Sequence, residues 1–238
     1  MRERKKPELP EFTSALDRRE TIFVLAWLPM HLAVLPLIFN RLLAGGMDQT
    51  TANFSYYAIG FVYMFAVAFR FLRRDFDPLA DRPFACMLEI LTGYFAMMCF
   101  NFCAAYCILL VFPNTENPNN AEVMDLVFRG FGKMKTTLMF FAPVVEELMF
   151  RAGVFGVLRR RNRIAAYLAS MLFFSLYHVW TYALQDPVYW VYLLEYIPVA
   201  GLLCRCYERT NSIWCSIFFH MMVNGVAVNT LSALQELL

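Results

Sequence analysis

The sequence predicts an all-α, polytopic transmembrane helix bundle of about seven spans, and three observations carry that reading. Of the 238 residues, 60% are hydrophobic and 17% charged, whereas soluble domains average about 45–50% and roughly 25%. Apolar stretches of spanning length recur from residue 21 onward, about 20 helical residues sufficing for a hydrocarbon core roughly 30 Å thick. The basic residues, finally, concentrate in alternate connections.

The spans are expected at 21–43, 53–73, 85–112, 137–158, 163–183, 187–205 and 211–235. A basic tail, residues 1–20, precedes them and reads as a retained cytoplasmic segment, since no small-residue cleavage site follows it. Residues 21–136 form the N-terminal spans and a connecting loop, and residues 137–238 a C-terminal core. Pro29 and Pro36 fall inside the first span, where a membrane helix tolerates proline if neighbours satisfy the freed carbonyls. Arginines and lysines precede span one (Arg2, Arg4, Lys5, Lys6, Arg18, Arg19). They follow span two (Arg70, Arg73, Arg74, Arg82), span four ("RRRNR", 159–163) and span six (Arg205, Arg209). This alternation puts the N-terminus in the cytoplasm and the C-terminus outside.

The loop 113–135 opens on the turn-rich "PNTENPNN" and continues as "AEVMDLVFRGFGKM", either a short interfacial helix or a plain connector. Cys99, Cys103 and Cys107 share a helix face. One helix cannot wrap a metal tetrahedrally with three thiolates in a row, so the stripe reads as packing residues along a helix interface. A net charge of +2 gives no sign of a nucleic-acid partner.

The fourth span raises the functional question. "TTLMFFAPVVEELMFRAGVFGVL" (136–158) holds Glu146 and Glu147 side by side, with Arg151 following. One acid at mid-membrane costs about 2.5–3.5 kcal/mol on insertion scales, so two need an offset and a purpose. Glu147 and Arg151 stand i, i+4 in the favourable acid-first order and can pair. Glu146, about 100° round the helix, faces elsewhere and is left for chemistry. The chain has three histidines, His31, His178 and His220, all inside expected spans. His220 and Asn224 are again i, i+4. A carboxylate with an imidazole can hold and deprotonate a water, and further donors can stabilise an oxyanion. The same polar groups could instead be interhelical glue.

Three segments then resemble a known family. "EELMFR" (146–151), "FSLYH" (174–178) and "HMMVN" (220–224) are similar, in order, to the motifs E-E-x-x-x-R, F-x-x-x-H and H-x-x-x-N of the CPBP intramembrane endopeptidases. That family takes in type II CAAX prenyl proteases and the Abi bacteriocin-processing group. The resemblance covers about residues 137–228. It implies that Glu146 and His178 activate the attacking water and that His220 and Asn224 form the oxyanion hole. By the same carry-over Glu147 and Arg151 support the site, and Phe174 positions His178.

The expected activity is hydrolysis of a peptide bond in a peptide or protein substrate within or at the lipid bilayer of a bacterial plasma membrane. The alternative is a non-catalytic scaffold, immunity or regulatory protein that keeps the motifs. No cofactor is expected. Zinc on Glu146, His178 and His220 is the competing mechanism, although no H-E-x-x-H signature occurs. Glu195 and His31 are given no catalytic role. Glu89 is expected near the cytoplasmic interface, where water can reach it.

Overall fold

The structure is a computed structural model that describes residues 11–237, with side chains described through Thr230. Helix α1 spans Arg18–Ala44. It starts at a capping box in which Asp17 accepts from the Glu20 amide and Glu20 accepts from the Asp17 amide, satisfying two otherwise orphaned donors. Midway, Met30–Val34 winds as a π-turn. There the Leu35 N–H donates five residues back to Met30. The next donor in that register would be Pro36, which has no N–H. The carbonyl so freed, that of His31, accepts instead from the Tyr56 hydroxyl at 2.6 Å.

Helix α2 (Gln49–Val67) is capped by Asp48 and bends by 71° into residues 69–81, which form α3 (Phe69–Arg74) and α4 (Asp77–Asp81). Helix α5 (Pro83–Val111) returns across the molecule and α6 (Pro118–Arg129) follows. Residues 131–159 are a continuous helix, α7, with π-wound stretches at Thr137–Phe141 and Glu147–Phe155. Helix α8 (Arg163–Ala183), α9 (Pro187–Thr210, its first turn 3₁₀) and α10 (Ile213–Leu237) complete the bundle. The loop helix α6 does not simply lie on the membrane: its Leu126 and Val127 are buried against Met134 and Val228.

Among the described residues, five helices are long and apolar enough to cross a membrane, or six if the bent pair is one span, against the seven expected. With the bent pair counted as one span, the difference is α7. It carries Glu146, Glu147 and Arg151 and is enclosed by α1, α2, α8, α9 and α10, with every residue from Ala142 to Gly156 buried. Apolar side chains cover the outside instead, among them Phe84, Phe102 and Ile164, each more than 70% exposed. The chain is therefore an integral, multi-pass membrane protein with a polar centre and an apolar coat.

The arginines gather at one end of the bundle. Glu208 at the end of α9 accepts from Arg163 at 2.8 Å and from Arg159. Arg74 and Arg160 hold the carbonyls of Ala15 and Leu16. Asp75 accepts from Ser14 at 2.5 Å and from the first amide of α10, Ile213. Glu89, expected where water can reach it, is about 21% exposed and is also bridged by Arg205 at 3.0 Å and Arg209 at 3.2 Å, because α5 packs lengthwise on α9. The cysteine stripe also departs from expectation. Cys99, Cys103 and Cys107 are exposed, since α5 turns its other face, with Cys86, Gly93, Met97 and Ala104, inward.

Gly93 sets how closely α5 approaches α10: a Cβ there would stand 2.8 Å from the Phe219 ring, and small residues admit such approach in membrane bundles. Gly93→Val should therefore lower stability by about 1–3 kcal/mol through overpacking, read as the thermal unfolding midpoint in detergent. An unchanged midpoint would show that this contact is slack.

Candidate active site

The four residues expected to do chemistry come from α7, α8 and α10, and the fold brings them to one place. Glu146 leaves the α-helical turn of α7 just before the π-wound stretch begins. Its Oε2 lies 3.8 Å from His178 Nε2 and 3.9 Å from His220 Nε2, and that oxygen has no hydrogen-bond partner. A buried carboxylate oxygen left unpartnered is costly and calls for a partner such as a bound water. The gaps are too long for direct hydrogen bonds and wide enough for a water between the three groups.

Each histidine has its Nδ1 occupied, so each presents Nε2 to the glutamate. His178 Nδ1 is 2.9 Å from the Phe174 carbonyl one turn earlier. The His178 ring is sandwiched: Phe174 lies on one side at 4.5 Å between centroids, and Tyr196 of α9 stacks at 4.7 Å. His220 Nδ1 meets Glu147 Oε1 at 2.8 Å. Partners of this kind fix both tautomer and ring orientation.

Glu147 thus does more than the spacing argument foresaw. It pairs with Arg151 at 3.0 Å, both side chains wholly buried, as expected. It also accepts from Ser216 at 2.6 Å besides orienting His220. The Arg151 guanidinium lies 4.1 Å above the Phe174 ring, a cation–π contact strengthened by desolvation. Phe174 is therefore packed between the arginine and the histidine that it positions.

Asn224 enters by the proline device already seen in α1. Ala142 N–H donates five residues back to Thr137, and the next donor in that register is Pro143. The freed carbonyl of Leu138 accepts from Asn224 Nδ2 at 2.9 Å. One amide hydrogen of Asn224 is thus spent on the backbone, and the other remains for the cavity that Asn224 lines.

Three residues join the site without any motif. Tyr57 of α2 donates to Glu146 Oε1 at 3.1 Å and lies 2.7 Å from the Tyr177 hydroxyl. Tyr177 in turn stands 3.1 Å from His31 Nε2. His31, given no role from sequence, is the inner end of a hydrogen-bonded chain to the candidate base. Tyrosines occur throughout this sequence, so nothing in their local pattern singled these out. Glu195 accepts from Asn117 at 2.6 Å and lines the cavity, bonded to an amide rather than to a base.

Glu146, His178, His220 and Asn224 line a cavity of about 940 Å³, together with Tyr57, Tyr177 and His31. Among the described residues, no group of three or more His, Cys, Asp or Glu is arranged to hold a metal ion. The 3.8 and 3.9 Å separations lie somewhat beyond the roughly 3.3–3.6 Å expected between ligand atoms on a tetrahedral zinc with bonds near 2.0–2.2 Å.

The comparisons with known proteins concern the same part of the chain. The profile of the family described as "Type II CAAX prenyl endopeptidase Rce1-like" matches residues 133–226, the stretch that carries all three motifs. Residues 133–226 are thus similar to the core of that family. Two bacterial proteins are similar over comparable stretches. The "Putative membrane peptidase YdiL" of Bacillus subtilis (strain 168) is 29% identical over 114 residues, 48% of this chain and 43% of that protein. The "UPF0177 protein YxdF" of Lactococcus lactis subsp. lactis (strain IL1403) is 31% identical over 107 residues, 44% of this chain and 55% of that protein. The chain thus spans about half the length of the curated relatives that it matches. No solved structure matches. The matched stretch runs from α7 into α10, whereas Tyr57 and His31 come from helices before it.

Glu147→Gln should leave Arg151 as an unpaired buried charge, at a cost of about 3–5 kcal/mol. Folding yield and melting temperature should both fall, and adding Arg151→Met should restore part of the loss. Wild-type melting for Glu147→Gln alone would show that the pair does not carry the core.

Proposed function

We propose that this chain is an intramembrane endopeptidase that works by a carboxylate-activated water. The reading is carried by the unpartnered Oε2 of Glu146, faced by two imidazole Nε2 atoms at the bottom of a cavity large enough for a peptide. Glu146 accepts a proton from a water held between it and His178, and the hydroxide attacks the scissile carbonyl carbon. The proton then passes to the leaving nitrogen, as general acid–base catalysis of amide hydrolysis requires. With Nδ1–H held by the Phe174 carbonyl, a neutral His178 offers Nε2 as an acceptor, suited to steering the water.

The negative charge that develops on the carbonyl oxygen needs donors. Asn224 has its second amide hydrogen for this. His220 can donate through Nε2 when it carries both ring protons, the form that also keeps Nδ1–H on Glu147. Tyr57 fixes the other oxygen of Glu146, so that Oε2 is the one turned to the water. The mechanism uses no metal, in keeping with the spacing of the donor groups. The family profile names prenyl endopeptidases and one relative is named a membrane peptidase. Both support peptide hydrolysis here, with a peptide or protein tail as substrate.

Glu146→Gln keeps the shape and the Tyr57 hydrogen bond while removing the base. Cleavage should fall by roughly 10²–10⁴, the usual share of a general base, with melting near wild type. Comparative peptidomics of cells carrying each form reads this out, and equal peptide profiles would favour a non-catalytic role. Protein purified through a chelator should keep its activity; activity that returns only with added zinc would overturn the metal-free mechanism.

A further inference from the structure

The cavity has a side. Its mouth is built by the end of α1 (Asn40, Leu43), the start of α2 (Gln49, Asn53) and α6 (Asn119, Asn120). The end of α8 (Thr181, Tyr182) and the start of α9 (Glu195, Tyr196) complete it. From there it descends to Glu146, His178 and His220, and none of its lining residues is arginine or lysine. Everything that lines it belongs to the half of the bundle away from the arginines of α3, of the α7–α8 connection and of the end of α9.

The contacts already described bind Arg74, Arg159, Arg160, Arg163, Arg205 and Arg209 into the opposite end. At the mouth end the described cations are Arg41, Arg129, Lys133 and Lys135. Two of these lie against acids, Arg129 on Asp125 at 2.8 Å and Lys133 near Asp48 at 3.8 Å. Orientation follows the lysine and arginine bias of short connections, and here that bias coincides with the closed end of the cavity.

The chemistry of the mouth fits a polypeptide. Asn53, Asn119, Asn120 and Thr181 offer amide and hydroxyl groups that can pair with an extended backbone, while Leu32, Pro36 and Leu37 of α1 line the cavity with apolar surface. The mouth is also rigidly tied to the reacting groups. Asn117 and Asn119 donate to the Tyr196 hydroxyl at 3.3 and 3.0 Å, and Tyr196 is the residue stacked on His178.

We infer that the substrate is a peptide segment standing on the extracytoplasmic side of the membrane, and that it reaches Glu146 through the mouth between α1, α6 and α9. The inference rests on the endopeptidase reading for the word substrate, but the side from which the cavity is entered does not. The cleaved chain is accordingly one that has already crossed the membrane: a translocated peptide, or the outer end of a membrane-anchored one. A cytoplasmic tail cannot present its backbone there without first crossing the bilayer.

Cysteine labelling in intact spheroplasts tests this with a membrane-impermeant maleimide as the probe and the wild-type chain as the background. Glu116→Cys marks the mouth end, Thr181→Cys the cavity wall and Asp81→Cys the arginine end. Labelling of the first two in intact spheroplasts, with Asp81→Cys reacting only after lysis, is the expected result. The reverse pattern overturns the inference while leaving hydrolysis possible. So does labelling of Glu116→Cys without Thr181→Cys until lysis, because the cavity would then open elsewhere.

An internally quenched peptide added to the same spheroplasts supplies the second readout, with Glu146→Gln as control. Its hydrolysis without lysis agrees with entry from outside. Hydrolysis only after lysis overturns the inference. Outside labelling with no hydrolysis even in detergent would sink the endopeptidase reading and leave the orientation of the cavity standing.

Discussion

A wholly buried ion pair, Glu147 with Arg151, is the constraint from which the rest of this structure is organised. Two charges in a low-dielectric interior are tolerated when their geometry and remaining hydrogen bonds are satisfied. Here the carboxylate also takes Ser216 and His220, and the guanidinium covers Phe174. The pair therefore reaches two of the three motifs from the first. Neutralising Glu147 in this way leaves its neighbour as the one acid of α7 with an oxygen open to the cavity. The answer to why two carboxylates adjoin in an apolar run is that one builds the site and the other faces the cavity.

A second constraint is backbone satisfaction. Both π-turns that precede Pro36 and Pro143 shift the hydrogen-bond register to five residues, and in each the proline fails to donate to the carbonyl five positions earlier. A side chain from another helix supplies the missing donor: Tyr56 for His31, Asn224 for Leu138. In a membrane no lipid can do so. The prolines thereby tie α1 to α2 and α7 to α10 at the depth of the cavity, and the π-winding common near functional sites here serves helix docking as well.

Charge distribution adds a global order to these local ones. The ends of the bundle differ in kind: one is an arginine-rich layer clamped by Glu89, Glu208 and Asp75, the other a layer of asparagines and tyrosines around an open mouth. Tyr196 connects the second layer to the chemistry, being held from above by asparagines and stacked below on His178. The mouth and the orientation of the His178 ring are thus connected through one side chain.

Much of this was legible in the residues. Composition decided that the chain lives in a membrane, because the cost of burying polar groups in hydrocarbon leaves few sequences free to do otherwise. The i, i+4 spacing of Glu147 and Arg151 decided their pairing, since helix geometry is local. The three motifs named Glu146, His178, His220 and Asn224, and the fold brings them together. What required the tertiary structure was everything that depends on which helix lies beside which. The Glu147–His220 contact joins residues 73 positions apart, and the chain of hydroxyls from Glu146 to His31 runs through α2 and α8. The outward face of the cysteine stripe and the arginine partners of Glu89 follow from how α5 rotates on α9. A helix periodicity tells which residues share a face, but the neighbour that the face meets is set by packing over the whole chain.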